Sequence, residues 1–406
     1  MTESPNSFST EALPAEAKRN LGLLIAAQAL LFINNVTMIA VNGLAGLAFA
    51  PNAFLATLPV TGYVVGGALA AMPVSWMMKH WGRRTAFTVG SAFGMLGAAV
   101  CAIAALNRSF ELLCVGTAIV GVYNACGTLY RFAAADVAPA SFKERAISWV
   151  LAGGIVGGVV GPNLARYSKD WLAVTFAGTY ASLIGFALLS MLVIRFLQFA
   201  PQTMAEKNNA GRPLREILLQ PKAVVALMGG AIGYGVMNLL MTATPIAMQM
   251  CQLGFRDATF VLEWHVISMF APSFFTGSLI KRFGVTRIMF IGVLLMFGCV
   301  VVALQGVDLM NFLFALMLLG LGWNFLFVGG TTLLTECYRP EEKNKVQGAN
   351  DMVIFLVMAT SSFTSGAMVT TRGWELLNLG SLPFLVLVSV ALLWLMLQQK
   401  RPAAAA

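Results

Sequence analysis

The chain has 406 residues, of which 58% are hydrophobic and only 11% are charged, and its mean hydropathy is +0.79. This composition excludes a water-soluble domain, and long apolar runs separated by short charged clusters are typical of a polytopic helical membrane protein. The net charge is +9, but the basic residues cluster between the apolar runs. We therefore interpret them as topology signals and expect no nucleic-acid binding.

Residues 1–20 come first and are polar, with no apolar core of the kind that a cleavable signal needs, so we expect a cytoplasmic N-terminal tail. Twelve apolar segments follow, each long enough to cross a bilayer as a helix. The predicted fold class is an all-α membrane protein with twelve transmembrane helices. The segments start near residues 21, 51, 83, 109, 142, 173, 221, 256, 284, 309, 342 and 373.

The polar stretch 199–220 contains Pro201 and Pro213 and divides the twelve segments six and six. We predict it to be a cytoplasmic linker between two six-helix bundles. The remaining predicted regions are the N-terminal bundle 21–198, the C-terminal bundle 221–398 and a cytoplasmic C-terminal tail 399–406.

A weak internal repeat supports this division. The stretch SWMMKHWGRR (75–84) after the second segment resembles GSLIKRFGVTR (277–287) after the eighth. Two duplicated halves with a binding site between them are a common plan of membrane carriers. The residues in register are Lys79 with Lys281 and Gly82 with Gly284.

The distribution of positive charge predicts the orientation. If both termini lie inside, the outer loops hold only five of the 26 Lys and Arg residues. Cytoplasmic loops are the basic ones, so we expect a multi-pass protein of the bacterial inner membrane with both termini in the cytoplasm. The five outer residues are Arg108, Arg166, Lys169, Arg256 and Arg372.

Two neighbouring segments each carry a pair of candidate metal ligands one helical turn apart. Met237 and Met241 lie at i and i+4 on the seventh segment, and His265 and Met269 do so on the eighth. A rise of about 1.5 Å per residue places all four between roughly 10 and 20 Å below the outer surface. Three thioethers and one imidazole form a soft, neutral set that suits Cu(I).

The alternative for these four residues is ordinary packing. Methionine is an adaptable apolar filler, and one MxxxM pair is expected by chance in a chain with 22 methionines. A histidine inside an apolar run is scarcer, because ionisable groups within the membrane tend to be functional. We therefore favour ligation, with Met237 and His265 as the indispensable ligands.

Cys251 is a secondary metal candidate. It follows the seventh segment in the sequence MQMC, at the expected outer mouth, where it could collect the ion. An interfacial loop with incidental sulfur explains it equally well.

Further polar residues lie within or at the ends of the segments. We interpret Asp351 at the inner end of the eleventh segment, and Arg131 with Asp136 at the inner end of the fourth, as gate or loop ion pairs. Glu263 faces away from His265 on the eighth segment. Any of these carboxylates is a candidate for a coupled proton, and the sequence does not choose between them.

The loop repeat resembles the signature G-x-L-x-D-R-x-G-R-R of the major facilitator superfamily, although Lys79 and Lys281 occupy the positions of the acidic residue. This resemblance implies two six-helix bundles with alternating access around a central cavity. The matching residues are Gly82, Arg83 and Arg84 in the first half and Gly277, Leu279, Arg282 and Gly284 in the second.

The pairing of MxxxM with HxxxM resembles a branch of that superfamily, the CcoA-like bacterial copper importers. The resemblance implies that Met237, Met241, His265 and Met269 are the metal motifs. It also implies import of copper that supplies the assembly of cbb3-type cytochrome c oxidase, with copper chaperones as partners on either side of the membrane. Copper would be the transported substrate, no cofactor is expected, and we expect a monomer.

Two alternatives to copper import remain open. A carrier of a small organic solute such as riboflavin would need aromatic and amide partners in a larger cavity, and a non-transporting membrane scaffold would move no solute. We do not expect an enzyme, because the sequence contains no nucleotide-binding loop and no nucleophile with a partnered base.

Overall fold

A computed structural model describes residues 14–52, 55, 58–199 and 211–400. Parts of the predicted tails and linker, namely residues 1–13, 200–210 and 401–406, lie outside the described residues. The described chain is helical throughout its ordered elements and contains no strand in these ranges.

Eight helices form the first six spans. The fourth span is interrupted after Thr128 and the fifth at Gly153, so each consists of two helices in succession. The helices are α1 (Ala15–Phe49), α2 (Leu58–Trp81), α3 (Arg83–Leu106), α4 (Phe110–Thr128), α5 (Tyr130–Val137), α6 (Lys143–Ala152), α7 (Gly154–Ser168) and α8 (Ala177–Arg195).

A short helix and six long ones form the second half. The eighth span is interrupted before Pro272, because a proline cannot donate the hydrogen bond that continues a helix. The helices are α9 (Leu214–Leu218), α10 (Pro221–Met250), α11 (Phe255–Phe270), α12 (Ser273–Phe283), α13 (Val285–Leu304), α14 (Leu309–Thr335) and α15 (Lys343–Lys400).

The last helix contains two spans. Helix α15 has 58 residues, which corresponds to about 87 Å, roughly twice the thickness of a bilayer. Gly373 interrupts it with a φ of 79°. Within the described ranges, eleven helical segments are long and apolar enough to span a membrane, and the break at Gly373 divides the last of them, so that twelve spans result as predicted.

Two element boundaries differ from the expected ones. Helix α1 begins at Ala15, inside the predicted tail, because Glu16, Lys18 and Arg19 are adequate helix formers and need not be apolar outside the bilayer. The short helix α9 lies inside the predicted linker. Hydropathy locates the membrane-embedded part of a helix and not its ends.

The two glycines that fall in register in the repeat make equivalent tight connections. Gly82 joins α2 to α3 with a φ of 84°, and Gly284 joins α12 to α13 with a φ of 88°. Residues with a Cβ atom rarely adopt this conformation, whereas glycine does so readily. The same backbone device in both halves supports an internal duplication.

The two halves meet closely on one side of the membrane, which we name the basic face and define by the connections at Gly82, 138–142, Gly284 and 336–342. On this side α15 packs against α2, and Ser75 Oγ donates a hydrogen bond to the Asn344 carbonyl oxygen. The equivalent contact joins α12 to α6, where Ser148 Oγ donates to the Ser273 carbonyl oxygen. Both contacts use small side chains, which let helix backbones approach.

Small residues also hold the first half together. Gly66 on α2 lies against α4 so closely that a Cβ atom added to it would overlap the Ala118 carbonyl oxygen. In return, a Cβ atom on Gly121 would lie 2.6 Å from the Gly67 backbone nitrogen. The two helices are therefore in backbone contact, and neither glycine has room for a methyl group.

Gly66→Ala is expected to lower the free energy of unfolding by about 1–3 kcal/mol, because α2 must move away from α4. Thermal unfolding in detergent, followed by tryptophan fluorescence, measures the change. Gly185→Ala is the matched control, since a Cβ atom at Gly185 meets nothing within 4 Å. Equal stability of the two variants would contradict the close packing of α2 on α4.

Candidate functional site

The four predicted metal ligands are buried on the two predicted helices. Met237 and Met241 lie on α10, and His265 and Met269 lie on α11. Their exposed fractions are 1%, 9%, 0% and 4% in that order. None of them faces lipid, which is a condition for a ligand on a transport path and also for a packing residue.

Helix α14 contacts α11 beside His265 and Met269, and these contacts show at which level of the bundle the α11 pair lies. His265 Nδ1 lies 2.7 Å from the Leu316 carbonyl oxygen on α14. One turn along α14, a Cβ atom on Gly320 would lie 2.7 Å from the His265 carbonyl oxygen and 3.0 Å from the Met269 backbone nitrogen. The α11 pair therefore faces α14 at its turns around Leu316 and Gly320.

The α10 pair lies at a matching height. The rings of Tyr234 on α10 and Trp323 on α14 have centroids 5.2 Å apart. Helices α10 and α14 run in opposite directions, so Met237 and Met241, one and two turns beyond Tyr234, lie at the levels of the two α14 turns just described. This agrees with the predicted common depth, and the joint ligation of one ion by all four side chains stays a prediction.

His265 has one free ring nitrogen. A carbonyl oxygen only accepts, so Nδ1 carries the proton and donates to Leu316. Nε2 then carries a lone pair, and it is buried with no hydrogen-bond partner in the described ranges. An orphaned acceptor of this kind is able to bind a metal ion or a donor group of a solute.

Cys251 caps the end of α10 at the opposite face and is half-buried. Met248, three residues earlier, is fully buried. The two sulfur atoms therefore do not share an exposed site at the mouth. The role of Cys251 as a secondary ligand stays a prediction.

A cluster of aromatic rings lies where the halves meet, and we name it the aromatic site. Trp323 and Phe327 on α14 stack with centroids 4.8 Å apart and an interplanar angle of 16°. Tyr234 meets both rings edge-on. Phe270 on α11 contacts Trp323 and also Phe32 on α1, with centroids 4.5 Å apart. The site thus has walls from both halves.

A charged pair adjoins the aromatic site. Arg131 on α5 forms a salt bridge with Asp351 on α15, and both side chains are buried. The guanidinium carbon lies 4.4 Å from the centroid of Phe327 and 4.6 Å from that of Phe132. The break after Thr128 frees a carbonyl oxygen, which accepts a hydrogen bond of 2.7 Å from Arg131. The interrupted fourth span is therefore what positions the guanidinium.

The charged pair and the aromatic site enclose a small cavity with a volume of about 10 Å³. This is close to the space that one water molecule needs. In this structure the cavity is too small for an organic solute. The lining residues are Thr128, Arg131, Tyr234, Phe327, Asp351, Ile354, Phe355 and Met358.

A second charged network lies nearer the basic face. Arg83 Nη2 is 2.6 Å from Asp136 Oδ2 and donates 3.0 Å to Gln347 Oε1. Lys343 lies 3.5 Å from the same carboxylate oxygen. Arg131, Asp136 and Asp351 thus all form ion pairs as expected, but Arg131 pairs with Asp351 and Asp136 with Arg83, and not with each other. Lys79 occupies the acidic position of the loop signature. Asp136, from outside the signature, supplies the carboxylate that pairs with Arg83.

Amide side chains complete the interior of the first half. Asn35 Nδ2 on α1 donates 2.9 Å to Asn124 Oδ1 on α4. Tyr123, next to Asn124, packs against α3. A Cβ atom added to Gly94 on α3 would lie 2.7 Å from the Tyr123 ring. The amide pair is an interhelical hydrogen bond that opening of the site could expose.

Sequence reasoning missed the aromatic site. Trp323 and Phe327 lie at i and i+4, which places them on one face of α14 and was a usable signal. Tyr234 gave no such signal, because a lone tyrosine in an apolar run has no periodic partner. The pairing of Arg131 with Asp351 needed the break in the fourth span, which hydropathy does not reveal.

The architecture and the interrupted spans agree with one family. The sequence pattern described as Major Facilitator Superfamily matches residues 23–271 and 258–406. The chain is a member of the Major Facilitator Superfamily. It is therefore a membrane transport protein of a family whose members are carriers and not enzymes.

One related protein is similar to this chain over nearly its whole length. The chain is 39% identical over 394 residues to the riboflavin transporter RfnT of Brucella anthropi, covering 96% of this chain and 98% of that protein. This similarity supports membership of the superfamily. The finer resemblance to copper importers receives no support from it.

Solved structures of superfamily members share the fold. The human organic anion transporter MFSD10 gives a TM-score of 0.72 at 15% identity, with 93% of this chain and 100% of that chain covered. The transporter FucP in its outward conformation gives 0.71 at 15% identity, with 92% and 98% covered. At these identities the likeness concerns the fold alone.

Proposed function

We propose that this protein is a carrier that moves a planar organic solute of the flavin class across the bacterial inner membrane by alternating access. The observation that supports this most strongly is the 39% identity to a riboflavin transporter over nearly the whole chain. The proposal extends to orientation, with the basic face and both termini in the cytoplasm.

The aromatic site suits such a solute. The isoalloxazine ring of a flavin is flat, uncharged and aromatic, and aromatic side chains bind such rings by offset stacking and edge contacts. Trp323 and Phe327 stack on each other, Tyr234 meets both rings edge-on, and the Arg131 guanidinium lies over the Phe327 ring. Separation of the halves would remove Arg131 from Phe327 and Phe32 from Phe270, so that a solute ring would take the place of these two contacts.

Copper import is the second candidate, and one observation favours it. The lone pair of His265 Nε2 is buried and unpartnered in the described ranges, at the level of Met237, Met241 and Met269. A neutral imidazole beside thioethers is a soft site that suits Cu(I). Supply of cytochrome oxidase assembly and delivery by copper chaperones belong to this second candidate only.

Parallel uptake of labelled riboflavin and labelled copper separates the two candidates. In cells that depend on this carrier, Trp323→Ala is expected to lower riboflavin uptake about tenfold, because a stacking partner contributes about 1–3 kcal/mol. Trp264→Ala is the matched control, since that indole is 39% exposed on α11. Protein levels in the membrane are matched by immunoblot.

The copper arm uses His265→Ala and Met237→Ala, with His80→Ala as control because that imidazole is exposed. Copper uptake that depends on His265 and Met237, with no riboflavin flux, would replace the first candidate by the second. Riboflavin uptake that is equal with and without the carrier would contradict the flavin proposal.

Orientation is tested by fusing a green fluorescent protein to either end, because this protein becomes fluorescent in the cytoplasm and fails to do so after export. We expect fluorescence from both fusions. A dark fusion at matched expression would contradict the proposed orientation.

A further inference from the structure

The Asp351 carboxylate has an unusual set of partners, because most of them belong to the other half of the protein. Thr128 Oγ1 donates 2.7 Å to Oδ2, and Arg131 Nη2 donates to Oδ1. Asn350 Nδ2, from the same helix as Asp351, donates 2.8 Å to Oδ1. Two of the three donors therefore move away when the halves separate.

The remaining surroundings offer no substitute charge. The groups around the carboxylate come from helices α4, α5, α10 and α14, and helix α2 packs beside them through Gly67 against Phe355. In the described part of the chain, the titratable and charged groups around the carboxylate are Arg131 and Tyr234, with Tyr63 of α2 near Tyr234 and Tyr338 near Arg131. The Arg83, Asp136 and Lys343 network lies nearer the basic face and has its own internal pairs.

The location makes an unpaired carboxylate costly. Asp351 lies about 12 Å along α15 from Lys343 at the basic face, and it is buried. A carboxylate that loses its cationic partner inside the membrane must be hydrated or protonated. The adjacent cavity of about 10 Å³ is close to the space that one water molecule needs, and such a water would give a proton a route to the carboxylate.

Protonation and opening of the basic face therefore favour each other. A neutral Asp351 no longer holds Arg131 by charge, so the halves separate more easily. Separated halves leave Asp351 without Arg131 and Thr128, so the neutral form is preferred there. Arg131 keeps its cation contact with the ring of Phe132, which belongs to the same helix.

We propose that Asp351 is the proton-binding site that couples transport to the proton gradient, and that a proton replaces Arg131 as the partner of its carboxylate. The proton arrives from water on the opposite face and binds a carboxylate oxygen. The ion pair breaks, the basic face opens, the proton leaves to water on that side, and the pair forms again. Proton and solute then move in the same direction.

This proposal rests on alternating access and not on the identity of the solute, so it is tested first without any solute. Nitroxide labels are placed at Thr85 and Arg287, which are exposed and begin α3 and α13 at equivalent positions of the two halves. The six native cysteines are replaced by alanine. Double electron–electron resonance in lipid nanodiscs then reports the distance across the basic face.

Lowering the pH from about 8 to about 5 is expected to increase the long-distance, open population of the unmutated site at least about threefold. In Asp351→Asn this population is expected to be high at every pH, because asparagine is neutral throughout. Glu263→Gln is the matched control, since Glu263 is a half-buried carboxylate on α11 outside this network. It is expected to keep the pH response.

Three results would overturn the proposal. The first is an unmutated protein in which the distance between the two labels does not change with pH. The second is an Asp351→Asn variant in which this distance still changes with pH as in the unmutated protein. Loss of the response in Glu263→Gln alone would assign the proton to that residue instead. Arg131→Met combined with Asp351→Leu provides a second variant should Asp351→Asn fail to fold, and it is expected to lose the pH response as well, because it contains no carboxylate at this position.

A flux measurement links the proton to the solute. Proteoliposomes containing a trapped pH-sensitive dye receive riboflavin outside at zero membrane potential, and the internal pH is followed. Inward riboflavin flux is expected to acidify the lumen with the unmutated carrier and not with Asp351→Asn. Riboflavin flux without acidification would overturn the proton site. Absence of any riboflavin flux would instead contradict the proposed solute, while the distance measurement above still decides the proton site.

Discussion

The contact between Arg131 and Asp351 is the constraint on which the arrangement of the interior depends. Each charge comes from a different half, and neither is stable alone within the membrane. The pair therefore keeps the halves together at this level. The break after Thr128 supports the pair, since the freed carbonyl oxygen accepts a hydrogen bond from the same guanidinium. A continuous fourth span would keep that carbonyl within the helix.

The aromatic site and the helix of the candidate ligand His265 meet the same face of α14 at successive levels. Trp323 and Phe327 stack beneath Arg131, whereas Leu316 and Gly320 contact His265 and its helix. Helix α14 thus lines one possible substrate site and positions a ligand of the other, at adjacent levels. A solute bound at the aromatic site would lie next to the buried imidazole, so removal of His265 alone does not distinguish the two substrates without a parallel measurement of both.

The sequence predicted the twelve spans because hydrophobic thickness sets the length of every apolar run. It also aligned Gly82 with Gly284, and the structure shows that both have a positive φ at equivalent connections. The substrate was harder to predict, because the same helical spacing brings any two residues at i and i+4 together. The resemblance to copper importers depended on Met237, Met241, His265 and Met269, whereas the similarity to a riboflavin transporter extends over 96% of the chain. Which groups share a site depends on a third helix, α14, and that information is not local in the sequence.

The most direct measurement of the central claim is the unfolding free energy of two variants in mixed micelles titrated with sodium dodecyl sulfate. Arg131→Met is expected to lose about 3–5 kcal/mol, because it leaves the Asp351 carboxylate buried without its partner. Arg131→Met combined with Asp351→Leu is expected to recover most of that loss, since two apolar side chains need no charge compensation. A single variant as stable as the unmutated protein, or a double variant no more stable than the single one, would contradict the claim that this ion pair joins the halves.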